Sequence, residues 1–140
     1  MGDGVAVVEE KKVEKQNCYV YALLDTRHPG TYKYGEYSFD YEPYYIGKGT
    51  TQKTGTHYSN REYRHLRDAK NAHTCNPFKT SLINKILESG NEFKSIRICE
   101  NLSDTQSFKI EIEIIKLIGR RCFDLGPLTN LTDGGMEHPI

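Results

Sequence analysis

At 140 residues, with 19 basic and 19 acidic side chains and a formal net charge of zero, the chain has room for one domain with a modest core. It is too neutral for a generally basic nucleic-acid coat. No apolar run approaches the ~20 residues that cross a bilayer, and the first residues lack a basic stretch followed by an apolar one. The expected setting is therefore intracellular, cytoplasmic or nuclear, with no membrane partner. The four cysteines are scattered without a C-x-x-C pair, as in a protein that keeps its thiols reduced.

Charge is unevenly placed. Residues 44–85 hold eight Lys or Arg against only Glu62 and Asp68, and both flanks are acidic. A basic centre of this kind suits a local phosphate-binding face or, more plainly, a solvated helix surface. All ten tyrosines fall between Tyr19 and Tyr63. Buried phenols need hydroxyl partners that Val, Ile or Phe would not, so their number asks for a reason beyond packing.

In chain order, residues 1–16 are charged and poor in apolar groups, as in a mobile arm. A domain is expected over 17–135, and 136–140 read as a tail. Tyr19 to Leu24 reads as a strand ending at the turn-forming Asp25-Thr26-Arg27-His28-Pro29-Gly30. Residues 31–43 alternate aromatic and polar, an irregular extension of the hairpin, before a second strand near Tyr44-Tyr45-Ile46-Gly47-Lys48-Gly49. After a polar loop, Ser59-Asn60-Arg61-Glu62 has capping-box form and predicts a helix to about Ala72. Its inner stripe would be Tyr63, Leu66 and Ala69, with Arg61, His65 and Asp68 on another face.

Asn76-Pro77 opens a second helix whose Leu82, Ile83, Ile86 and Leu87 form an apolar face, and Gly90 ends it. Residues 93–99 read as a third strand. Ser103-Asp104-Thr105-Gln106 starts a helix that runs to Ile118 and stops at Gly119. On that helix Glu111 shares a stripe with Phe108, Ile114, Ile115 and Ile118, whereas Glu113 sits among Lys109 and Lys116. A carboxylate on an apolar face is costly unless it is paired or bound to a metal. Leu128 to Thr132 reads as a short edge strand. The fold class is α+β (mixed α/β), a small three-stranded antiparallel sheet flanked by helices.

In order, these features are a Tyr strand, a Tyr-Ile-Gly strand, Arg61-x-x-x-His65 on a helix, Glu111 on a later helix, and Asn130. That series resembles the GIY-YIG nuclease family. Tyr19-Val20-Tyr21 stands at the first motif, with Tyr in place of its Gly, and Tyr45-Ile46-Gly47 is the second unchanged. The stretch FKIEIEIIKLIG looks like the family's metal-binding helix in the register that selects Glu111. The Pro-Gly insertion between the motifs and the Leu-Thr-Asn-Leu-Thr-Asp-Gly-Gly ending match one variety of the family. The loop between Gly49 and Arg61 is longer than usual for it.

The resemblance implies a DNA endonuclease using one Mg²⁺ or Mn²⁺, acting on double-stranded or branched DNA. It makes Tyr21 the general base, Tyr45 a positioner of water or phosphate, Arg61 a phosphate fork, His65 an aid to proton transfer or phosphate binding, Glu111 the metal ligand and Asn130 a last polar contact. Lys48, Arg64 and Lys79 are the expected DNA contacts, and Lys48 and Arg61 would favour the Tyr21 phenolate, which is scarce at pH 7 for an ordinary phenol with pKa ~10.

Three rivals are a catalytically silent nucleic-acid-binding module, a nucleotide site at Gly47-Lys48-Gly49-Thr50, and a zinc site from His73 and Cys75 with Cys99 or Cys122. The second lacks the spacing of a phosphate loop, with Glu42 where its first Gly belongs. The third matches no standard ligand spacing.

Overall fold

The computed structural model describes residues 15–51, 61–70, 76–132 and 134, with Arg61 and Lys70 as backbone only. The arm up to residue 14, the Ser59 cap, His73, Cys75 and the tail expected over 136–140 lie outside the described residues.

Three strands form one antiparallel sheet: β1 (Cys18–Tyr34), β2 (Tyr37–Thr50) and β3 (Lys94–Leu102), in the order β2-β1-β3. The sheet and its helices are the expected α+β architecture. The hairpin is longer than expected, because Asp25 to Gly30 does not turn the chain. Asp25 pairs with Glu42 and Pro29 with Tyr41, with register shifts between them that absorb the extra residues. Bulges of this kind keep a strand going through residues that would otherwise end it. The reversal comes at Gly35, whose φ of 61° lies in the left-handed region that glycine adopts without strain.

Three helices cover the sheet: α1 (Arg61–Lys70), α2 (Pro77–Glu88) and α3 (Asp104–Ile118). Asn76 caps α2 by accepting from the Lys79 N–H at 3.1 Å, with Pro77 at the first position. Ser103 and Gln106 form the reciprocal capping box of α3, and the Gly119 N–H closes that helix on Ile115.

Residues opposite each other in an antiparallel pair share a face. Tyr19–Gly49, Tyr21–Gly47 and Leu23–Tyr45 therefore lie on one face, and Val20–Lys48 and Ala22–Ile46 on the other. The first face packs with Ala69 of α1 and Leu82, Ile83 and Ile86 of α2. The second packs with Ile114, Ile115 and Ile118 of α3 and with Leu128. Two cores thus sandwich the sheet, each fully buried aliphatic side chain contributing about 1.5–3 kcal/mol.

The Leu128–Thr132 stretch is not a strand but a stitch. The Thr129 N–H and hydroxyl both donate to the Tyr44 carbonyl, at 2.7 and 2.8 Å. The Asn130 amide accepts from the Ile46 N–H at 3.0 Å and donates to the Ile46 carbonyl at 2.8 Å. It thereby imitates a neighbouring strand on the outer edge of β2. Asn76 completes the seam by donating to the Thr129 carbonyl at 2.9 Å.

Candidate active site

The inward stripe of α1 departs from the expected one. Glu62, His65 and Ala69 are buried, while Tyr63 and Leu66 are only half-buried. Two polar residues can turn inward because polar partners wait for them on the sheet. Glu62 accepts from the Tyr19 hydroxyl at 2.5 Å and from Arg97 Nε at 3.1 Å, and the Arg97 guanidinium stacks 3.6 Å over the Tyr19 ring. Glu62 was expected only as a helix-capping residue. Its partners Tyr19 and Arg97 lie 43 and 35 residues away, a distance that leaves no local signal.

His65 is the centre of the second group. Its Nε2 lies 2.5 Å from Tyr21 Oη, and its Nδ1 lies 2.7 Å from Lys79 Nζ. The Tyr45 ring meets the imidazole edge-on, centroids 4.9 Å apart, and Lys79 Nζ stands 4.5 Å from the Tyr45 ring centre. Tyr21 is 0% exposed, Tyr45 8% and His65 6%, so the group is water-poor and its electrostatic interactions are strong.

Gly47 is required by this geometry. A Cβ built there would lie 2.5 Å from Tyr21 Oη and 2.6 Å from Cζ. The phenol of the first motif strand therefore lies over the bare backbone of the second. The register pairing Tyr21 with Gly47 explains why the second strand follows Tyr-Ile with Gly.

Glu111 is buried on α3, at 4% exposure, as its place on the apolar stripe predicts, and Glu113 is exposed. Phe108, one turn before it, lies beneath Lys48 Nζ at 4.2 Å, and Ile114 and Ile115, one turn after it, share a core with Ile46. Glu111 thus lies on the face of α3 that packs against the sheet. Gly134 approaches it closely, since a Cβ there would lie 3.4 Å from Glu111 Cγ. The Tyr21 cluster and Glu111 therefore lie on opposite faces of the sheet.

Other expected site residues fall elsewhere. Lys48 is on the α3 face, 3.2 Å from Asp104 Oδ1, so it is not the cation beside Tyr21. Lys79, expected as a DNA contact, lies instead against His65 and the Tyr45 ring. Arg64 is exposed on α1. Arg61 opens α1 one turn before His65, and its side chain lies outside the described residues. The Asn130 amide bonds to the Ile46 main chain. Gly47 to Thr50 are strand, not a phosphate-cradling loop. Among the described residues Cys18, Cys99 and Cys122 are free thiols.

A separate acid–histidine cluster, Asp25, His28 and Glu42, has ligand atoms within 4.8 Å of one another. It stands four residues along β1 from Tyr21, about 13 Å of strand. Both Asp25 oxygens already accept from Arg27, at 3.0 and 2.8 Å. Burial raises the Asp25 carboxyl, but these hydrogen bonds and the guanidinium charge outweigh it and hold it below the usual range. The guanidinium thus supplies the charge a cation would bring.

No helix among the described residues is long and apolar enough to cross a membrane. Comparison with curated proteins and with solved structures returns no match. The family description LEM-3-like GIY-YIG domain matches residues 18–139, from the first residue of β1 past the Asn130 stitch. With the two motif strands paired at Tyr21 and Gly47 in a three-stranded α+β fold, the chain belongs to the GIY-YIG family and is a nuclease-type domain that acts on nucleic acid.

Proposed function

We propose that this chain is a divalent-metal-dependent DNA endonuclease with Tyr21 as general base and Glu111 as metal ligand, acting on double-stranded or branched DNA. The observation that carries the reading is the buried Tyr21 phenol, laid over Gly47 and hydrogen-bonded through its oxygen to His65. A phenol kept only for packing would not need the strand opposite to forgo its side chain.

Glu111 fits a hard cation: it is a carboxylate, buried on the apolar stripe of α3, and Mg²⁺ and Mn²⁺ favour such oxygens. The cluster at Asp25 is the poorer candidate because Arg27 occupies its acid. Bound at Glu111, the cation supplies positive charge to the non-bridging oxygens of the scissile phosphate. Tyr21, as phenolate, takes a proton from water. The oxygen so freed attacks phosphorus with its electron pair, and the leaving oxygen departs with the pair of the broken P–O bond and is protonated by solvent. Hydrogen bonding to an anion favours it, and the Tyr21–His65 contact is placed to do so. Arg61, one turn ahead of His65, is positioned to fork a phosphate. Within the cluster Tyr45 and His65 keep a slight exposure that Tyr21 lacks, and Arg64 is exposed on the same helix as His65. Asn130 serves by fixing Ile46, and with it the Tyr45-Ile46-Gly47 backbone.

The test is cleavage of supercoiled plasmid and of branched DNA with Mg²⁺ or Mn²⁺, comparing wild type with Tyr21→Phe and Glu111→Gln. Loss of roughly 10²-fold or more in each variant, at unchanged DNA affinity, is expected. A wild-type protein that binds DNA and leaves it intact with either metal would make the chain a silent binding module. Cleavage by Glu111→Gln at the wild-type rate would remove Glu111 as the ligand.

A further inference from the structure

Each ring nitrogen of His65 has a hydrogen-bond partner, which fixes both the plane of the ring and the direction of its hydrogen bonds. On one side stands Lys79 Nζ, 2.7 Å from Nδ1; on the other stands Tyr21 Oη, 2.5 Å from Nε2. An ammonium has three protons and no lone pair, so in its contact with Nδ1 it donates and Nδ1 accepts. With an ammonium on Lys79, a second ring proton would point an N–H at that cation, so the arrangement that satisfies both contacts is a neutral ring with its one proton on Nε2. Nε2–H then donates to Tyr21 Oη.

We propose that Lys79 is a positioning residue of the site: its ammonium holds His65 in the Nε2–H tautomer and so makes His65 a hydrogen-bond donor to Tyr21. The inference rests on the reading of Tyr21 as the base and refines it. His65 does not accept the proton of Tyr21; it stabilises the oxygen of Tyr21 after that proton has gone. The same tautomer control by the far ring nitrogen operates wherever imidazoles are oriented by a second partner.

Two features outside the ring support an ammonium on Lys79. It lies 4.5 Å over the face of Tyr45, the placement a cation favours and a neutral amine does not require. Its backbone is fixed by Asn76, whose side chain takes the Lys79 N–H and is itself tied to Thr129. Among the described residues, titratable groups facing the imidazole include Tyr21 from β1, Tyr45 from β2 and Lys79 from α2. Glu62, one turn earlier on α1, is engaged by Tyr19 and Arg97. Lys79 lies 14 residues from His65 on another helix, so spacing along the chain gives no hint of the pair.

The decisive measurement is long-range proton–nitrogen correlation NMR of the ¹⁵N-labelled full chain at neutral pH, which reads the His65 tautomer directly. The Nε2–H form is expected in wild type and in Lys79→Arg, and a mixture of tautomers in Lys79→Met. Cleavage by Lys79→Met should fall in kcat by roughly 10–100-fold, the usual cost of losing an orienting group, and Lys79→Arg should recover most of it. An Nδ1–H or doubly protonated His65 in wild type would overturn the proposal. So would a Lys79→Met variant that keeps the tautomer and kcat while raising KM, since Lys79 would then be a phosphate contact only. Wild-type cleavage by Tyr21→Phe would instead sink the general-base reading, whatever the tautomer spectrum shows.

Discussion

The two faces of the sheet solve different problems. Against α3, Val20, Ala22, Leu24 and Ile46 meet Ile114, Ile115 and Ile118, an aliphatic contact whose members can exchange volume with modest loss. Against α1 and α2, Tyr19, Tyr21, Tyr44 and Tyr45 are buried with Glu62 and His65, and this contact holds only when particular atoms meet. One face is aliphatic apart from Glu111 and the other is a network of polar contacts, and β1 and β2 hold both in register.

Substitutions that trade one face against the other sharpen that contrast. The largest effect on activity is expected from Gly47→Ala, whose new methyl displaces the Tyr21 phenol. Plasmid cleavage should drop about 10²-fold, the scale for a 1 Å misplacement of a reacting group, with the circular-dichroism spectrum retained. Ile114→Ala reverses the pattern: urea unfolding should show a loss of about 2–5 kcal/mol, with cleavage near wild type at low temperature where the variant is folded. A cleavage defect in folded Ile114→Ala would blur the division between the faces. Asn130→Ala leaves the Ile46 N–H and carbonyl without their partner. It should cost about 1–3 kcal/mol in the same assay, and cleavage should stay below wild type even where folding is restored, because the same amide fixes the Tyr45-Ile46-Gly47 backbone.

The smallest effect falls on Tyr44, whose buried hydroxyl has no hydrogen-bond partner. Burial foremost, with the Asp25 charge adding and Arg27 opposing, raises this phenol above its ordinary value of 10.0. The unfolded chain ionises Tyr44 above that pH and the folded chain does not. Its contribution is therefore intact below pH 10 and declines as pH rises beyond it. Tyr44→Phe should unfold at the same urea concentration at neutral pH, or up to about 1 kcal/mol higher in stability, and should lose less stability than wild type between pH 7 and pH 11.

This contrast also sets what the sequence could tell. Periodicity finds aliphatic stripes, so α2, α3, their caps and the burial of Glu111 are legible in the residues alone. It fails on α1, where the buried positions are Glu62 and His65 and the apolar Tyr63 and Leu66 lie off the stripe. Local turn chemistry also misplaces the hairpin tip, because Asp25 and Arg27 satisfy each other and the bulged strand continues. The motif residues Tyr21, Tyr45 and Gly47 are visible, but the reason Gly47 is glycine appears only when the register is known. Lys48 and Lys79 look alike in a basic stretch; strand alternation sends one to α3 and helix capping sends the other to His65.

Asn130 lies 84 residues beyond Ile46, and its amide supplies the final rung on the outer edge of β2. During synthesis the two motif strands and α1 emerge long before that rung exists. Until it arrives, the Ile46 peptide is open to water or to a stray strand, and nothing from this segment holds the Tyr45-Ile46-Gly47 backbone under the Tyr21 phenol. The order of the elements along the chain thus leaves the Tyr45-Ile46-Gly47 edge to be closed by one of the last segments of the domain to be made.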